Sequence, residues 1–186
     1  MTTPTHAIHN SWTPSNSECA ASDELHWYAA YTCANHEKRV AQQLAERRVE
    51  QFLPLYESVR RWKDRRVRLE LPLFSGYVFV RLALRDRLQV LAVPSVVNLV
   101  GFGGHAAPLA DTEIETVRAT LLPQLAAQPH PYLTKGKRVR ILVGPLKGAE
   151  GTLVRRKASC RVVLAVDLIA RAASVEIDAA DIERIS

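Results

Sequence analysis

Hydrophobic positions along this chain follow two periods, and the changes of period divide it. Trp27, Ala29 and Tyr31 alternate with Tyr28 and Ala30, which predicts a half-buried strand. Asn35 then stands where it can cap a helix running to about residue 49, with Val40 and Leu44 one turn apart on its inner face. Residues 52 to 59 read as a second strand, in which Pro54, lacking an N–H, marks an edge or a bulge. The clearest strand is 77 to 82: Val78, Val80 and Leu82 share one face, Tyr77, Phe79 and Arg81 the other. A short helix near 86 to 92 and a strand at 96 to 100 follow. Asp111 is placed to cap a helix through 122, with Glu113 and Glu115 suited to its positive end.

Before and after this block the pattern changes. Residues 1–25 are rich in Thr, Ser, Asn and Pro, with Trp12 as their large apolar anchor, and are expected to form a disordered tail. Residues 123–132, with Gln, Ala and prolines, read as a linker. Beyond it come short β-segments at 138–143, 151–156, 161–166 and 173–177, the pattern of a small SH3-like barrel. Gly144, Gly148 and Gly151 fall where a tight loop needs positive φ or a close backbone approach. The expected fold is α+β: an antiparallel sheet flanked by helices over 26–122, then a β-barrel over 133–186.

Composition narrows the function. With 47% hydrophobic and 24% charged residues a packed core is expected, and a formal charge of +6 favours anionic partners, nucleic acid before membrane. Cys19, Cys33 and Cys160 are odd in number and widely spaced, which argues against a disulfide framework or a zinc site and for a reducing cytoplasm. No apolar run approaches the roughly 20 residues that span a bilayer. A phosphate-binding glycine loop, a G-x-S-x-G elbow and a metal-spaced His/Asp/Glu cluster are all missing from the sequence, so neither an enzyme nor a cofactor is expected. His36 has no ligand-spaced partner and reads as a surface or cap residue.

The run containing Arg60, Arg61, Trp62, Lys63, Arg65, Arg66 and Arg68 is too charged for a core and belongs on a protruding hairpin or loop. It admits two readings: a solvated face, or arginines reaching nucleic-acid phosphates with Trp62 stacking on an unpaired base. Lys38, Arg39, Arg47 and Arg48 either extend such a surface or form the solvent side of the first helix, paired with Glu37, Glu46 and Glu50.

Two stretches resemble the NusG family of transcription factors. The first comprises Trp27-Tyr28, a helix near His36-Glu37, Leu53-Pro54, the run Leu73-Phe74-Ser75-Gly76-Tyr77-Val78-Phe79-Val80, Val93-Pro94-Ser95-Val96 and Gly101-Phe102-Gly103-Gly104. The second, Lys135-Gly136-Lys137-Arg138-Val139-Arg140-Ile141 with Gly144-Pro145-Leu146-Lys147-Gly148, looks like a KOW motif. Within the family, the strand from Leu71 to Val80 and the position of Tyr31 are closer to specialised paralogues such as RfaH.

The resemblance implies a monomeric, cytoplasmic elongation and antitermination factor. Tyr31, Phe74, Tyr77 and Phe79 would receive the clamp helices of the RNA polymerase largest subunit, and Arg85 and Arg87 would reach the opposite lobe. Tyr31, Tyr77 and Phe79 also admit a plainer reading, in which they pack under a helix of their own domain. The basic hairpin would pass beside upstream or non-template DNA. Leu168, Ile169 and Arg171 would lie in the loop through which the KOW domain recruits a partner, a small-subunit ribosomal protein or Rho. Where the general factor carries Phe-Gly-Arg, this chain has Ile169-Ala170-Arg171, which sets Rho-dependent termination apart as the alternative. A ribosome- or RNA-binding KOW protein is the rival from another class.

Overall fold

The computed structural model describes residues 23–61, 65–122, 125–133, 136–156 and 159–185; most of the expected tail and the middle of the basic run lie outside them. The first sheet has the order β2-β5-β1-β6, built from β1 (His26–Thr32), β2 (Glu50–Phe52), β5 (Tyr77–Leu82) and β6 (Val96–Leu99). β1 pairs antiparallel with β5, from His26 opposite Leu82 to Tyr31 opposite Tyr77, and with β6 on its other edge. Because both edges are used, β1 is central. It is also buried on both faces rather than half-buried, since Trp27, Tyr28, Ala29 and Ala30 are all buried.

One face of this sheet carries Tyr28, Ala30, Val78, Val80 and Leu82. Helix α1 (Glu37–Glu46) covers it with Val40, Ala41 and Leu44, the spacing that puts one apolar stripe on a helix. Arg47 then ties α1 to the short helix α2 (Arg87–Leu91), donating to the Gln89 and Ala92 carbonyls at 3.0 and 3.3 Å.

Several local expectations need correction. Asn35 adopts a left-handed φ of 64° and does not cap α1; His36 holds that position without a side-chain cap bond, and the helix stops at Glu46 rather than 49. Pro54 does more than bulge a strand. It separates β2, in the main sheet, from β3 (Leu55–Arg61), which leaves it to pair with β4 (Arg66–Pro72) as a long hairpin. In α3 (Asp111–Thr120) the cap residue is Ala110, not Asp111, and Glu113 reaches back to accept the Ala110 N–H at 3.1 Å, one half of a capping box. A small hairpin of β7 (Gly101–Phe102) and β8 (His105–Ala106) is additional.

The second sheet has the order β14-β10-β11-β12-β13-β9 and is antiparallel throughout. Its strands are β10 (Lys137–Ile141), β11 (Glu150–Arg156), β12 (Ser159–Val166), β13 (Arg171–Ile177) and the unanticipated β14 (Ile182–Arg184), with β9 (Gln128–His130) from the expected linker. Val139, Ile141, Leu146, Val162, Leu164 and Val175 form its core. At Gly151 a Cβ would lie 2.6 Å from the Val163 carbonyl oxygen, so the glycine is there for close strand approach.

Part of the expected linker therefore belongs to the second sheet. Gln128–His130 pairs with Ala172–Ser174 along the β13 edge, where Pro129 is tolerated because an edge strand has one unpaired side. Leu125, 9% exposed, is packed among the core residues of that sheet. Tyr132 donates to the Asp167 carboxylate at 3.0 Å, and that bond holds its phenol above the ordinary range. A fragment comprising residues 125–186 is expected to be about 2 kcal/mol more stable in urea unfolding than one comprising 132–186, the order of one buried leucine.

Candidate functional site

Period-2 alternation puts Trp27, Ala29 and Tyr31 of β1 and Tyr77 and Phe79 of β5 on the face opposite α1. Phe52 of β2 and Phe74, in the turn before β5, extend it. The rings interlock: Phe74 meets Phe79 edge-on at 6.0 Å, Phe52 stacks on Phe79 at 6.1 Å, and Tyr31 tilts against Tyr77 at 5.5 Å. Such a face is too apolar to stay in water, and two elements cover it. From α3 come Ile114 and Val117, with the Arg118 guanidinium 5.2 Å from the ring centroids of both Trp27 and Phe52. From the second sheet come Val166, Ile169 and Ala173.

Residues expected at two separate sites thus meet in one contact. Phe74 and Phe79 are fully buried, Tyr77 is half-buried, and Tyr31 remains 41% exposed at the margin. Ile169 is buried in the same cluster, Leu168 packs against it, and Arg171 lies over the Tyr77 ring at 5.7 Å. A half-open cleft of about 250 Å³ lies between Phe74, Thr116 and Val117 on one side and Leu164, Val166 and Ala173 on the other. Ala170, between Ile169 and Arg171, is left-handed at φ 47° and ψ 45°, a conformation that an L side chain resists and glycine does not.

The β3–β4 hairpin sorts the basic run by face. Arg61 lies opposite Arg66 and Val59 opposite Arg68, while Arg60 pairs with Val67 on the other face. Arg60, Arg61, Arg65 and Arg66 are exposed, and Arg68 is bonded to Glu57 at 3.2 Å. Trp62 and Lys63 lie outside the described residues. Arg85 forms ion pairs with Asp23 and, at 3.7 Å, with Asp86; Arg87 is exposed at the start of α2.

The first helix does not carry the expected row of surface pairs. Lys38 reaches Glu70 of the hairpin at 4.0 Å and Glu50 pairs with Arg81 at 3.7 Å, whereas Glu37 is 3% exposed. Its carboxylate Oε1 accepts the Gly76 backbone N–H at 2.7 Å. From sequence Glu37 reads as one of the surface pairs of this helix, and no local signal betrays a partner 39 positions away. His36, as expected, is on the surface, with its Nδ1 2.7 Å from Ser95 Oγ. Among the described residues no group of three or more His, Cys, Asp or Glu could hold a metal ion, and no helix is long and apolar enough to cross a membrane.

An aromatic face and a basic hairpin thus share one mixed α+β scaffold. The family model described as transcription termination factor nusG matches residues 25–118. Transcription termination/antitermination protein NusG of Haemophilus influenzae is 28% identical over 178 residues, covering 86% of this chain and 94% of that one. The protein of the same name from Lactococcus lactis is 29% identical over 182 residues, covering 86% and 92%. A solved structure of Thermotoga maritima NusG, described as showing domain interaction, shares the fold with a TM-score of 0.58 at 20% identity, covering 88% of this chain and 98% of that one. The chain belongs to the NusG family.

Relief of the left-handed strain gives a direct check on the loop. Ala170→Gly is expected to raise stability by about 1 kcal/mol, read as a higher unfolding midpoint with an unchanged denaturant slope.

Proposed function

We propose that this protein is an elongation and antitermination factor that binds RNA polymerase through the aromatic face of its first sheet. In this reading Tyr31, Phe74, Tyr77 and Phe79 receive the clamp helices of the largest subunit. Aromatic anchors in a desolvated patch commonly dominate interface energy, and this patch holds four within one sheet face and its entry turn. Arg85 and Arg87 face the opposite lobe, so that the first domain, residues 26–122, ties the two sides of the DNA channel. A tie that fits the closed enzyme better than the opened, paused one shifts the population toward processive transcription. The exposed hairpin arginines Arg60, Arg61, Arg65 and Arg66, with Trp62 and Lys63, contact upstream or non-template DNA, a salt-sensitive contribution.

The second sheet is read as an SH3-like KOW barrel, residues 133–186, that recruits a small-subunit ribosomal protein or Rho through Leu168, Ile169 and Arg171. Replacement of the family's Phe by Ile169 favours the antitermination reading over service to Rho. The action takes place in the cytoplasm, at the nucleoid. The observation that carries the proposal is the shared cluster: an aromatic face that buries the barrel's partner loop is a surface built to exchange one apolar partner for another. Polymerase and barrel compete for the face, so each opposes the other by the same free energy.

The test is binding of the full chain to immobilised elongation complexes. Ile169→Asp, which puts a charge into the shared cluster, is expected to tighten binding about tenfold by releasing the face. In that released background Tyr77→Ala is expected to weaken binding about tenfold or more, the effect of losing one aromatic anchor. Absence of binding by both the wild type and Ile169→Asp, each properly folded, would overturn the proposal.

A further inference from the structure

Glu37 is a buried carboxylate for which the functions above have no use. Burying an ionised carboxylate is expensive unless its charge is met, and a helix N-terminus and a hydrogen bond are what meet it here. Glu37 is the first residue of α1, and its Oε1 accepts the Gly76 N–H at 2.7 Å, the short distance typical of a charge-assisted bond. Apolar packing at this position would hold the helix to the sheet as well or better. The specific product of the acid is the placement of Gly76.

Gly76 governs the aromatic face. Tyr77 N–H donates to the Phe74 carbonyl at 3.2 Å, closing a four-residue turn with Gly76 at its third position and φ 85°, as a type II turn demands. The Gly76 carbonyl accepts the Thr32 N–H at 2.8 Å, so the peptide groups on both sides of Gly76 are pinned. A Cβ on Gly76 would stand 3.4 Å from the Tyr31 ring, which means that this ring lies against the glycine itself. One carboxylate therefore fixes the turn from which Phe74 and Tyr77 depart and against which Tyr31 rests.

We infer that Glu37 is a positioning residue for the polymerase-binding face: its carboxylate presets the 74–77 turn so that Tyr31 and Tyr77 stand in the orientation that a helical partner requires. This inference rests on the proposed function for its consequence, but its geometry stands apart from it. No contact between Glu37 and the partner is involved, and the effect travels through Gly76 alone.

The experiment uses the full chain in the Ile169→Asp background, so that displacement of the barrel does not mask the result. Glu37→Gln keeps an acceptor and removes the charge; Glu37→Ala removes both. Two-dimensional NMR is expected to show the Gly76 amide proton moving upfield and the Tyr31 and Tyr77 ring signals shifting, with Gln intermediate between wild type and Ala. Affinity for elongation complexes is expected to fall about tenfold for Ala and less for Gln. Unmoved Gly76 and ring signals in folded Glu37→Gln protein would overturn the inference, as would shifted signals with unchanged affinity. A loss of affinity that tracks the fraction unfolded, with native-like signals in the folded remainder, would also overturn it, because the role is then only stability. If the Ile169→Asp protein does not bind polymerase at all, it is the proposed function that fails, and the Gly76 and ring signals alone decide the placement of the turn.

Discussion

Everything in this molecule depends on a central strand that is apolar on both sides. β1 is hydrogen-bonded along both edges and buried on both faces, so the first sheet needs two covers. α1 supplies one with Val40, Ala41 and Leu44. The other side offers more apolar area than α3 alone covers, and the second sheet completes it with Val166, Ile169 and Ala173. Sheets with one uncovered apolar face do not persist in water, so the fold carries within it the need for a second cover.

Much of the architecture was legible because it is local. The two faces of β5 and the stripe on α1 follow from periods of 2.0 and 3.6, and both appear as expected. Two-sided burial of β1 departs from the half-buried expectation, although the signal is in the sequence: Trp27-Tyr28-Ala29-Ala30-Tyr31 is apolar at every position, the mark of a strand covered on both faces. The linker departs from expectation for a physical reason. Pro129 and Pro131 suggest a free tether, yet an edge strand accepts proline, and only the presence of β13 in space could reveal that edge.

The candidate site shows the same division. Its aromatic members were identified from alternation and resemblance, but their burial beneath Ile169 is a long-range fact that no window of sequence contains. Glu37 is the sharper case. Its type and place suit a helix start so well that a solvent-facing pair is the natural reading, and its bond to Gly76 arises from how α1 crosses β5. The resemblance marks Ile169-Ala170-Arg171 as the counterpart of Phe-Gly-Arg, while the structure adds that its middle residue keeps a glycine-like backbone without being glycine.

The pairing of β9 with β13 sets how far the C-terminal sheet can travel. With Leu125 seated and β9 zipped on, only residues 121–124 separate α3 from the sheet, a reach of roughly 14 Å. If that strand peels away as far as β10, residues 121–136 pay out to roughly 55 Å. Search volume scales with the cube of that radius, so unzipping three residues of β-pairing enlarges the space open to the second sheet by more than an order of magnitude. Three backbone pairings thus set the radius within which the second sheet can move.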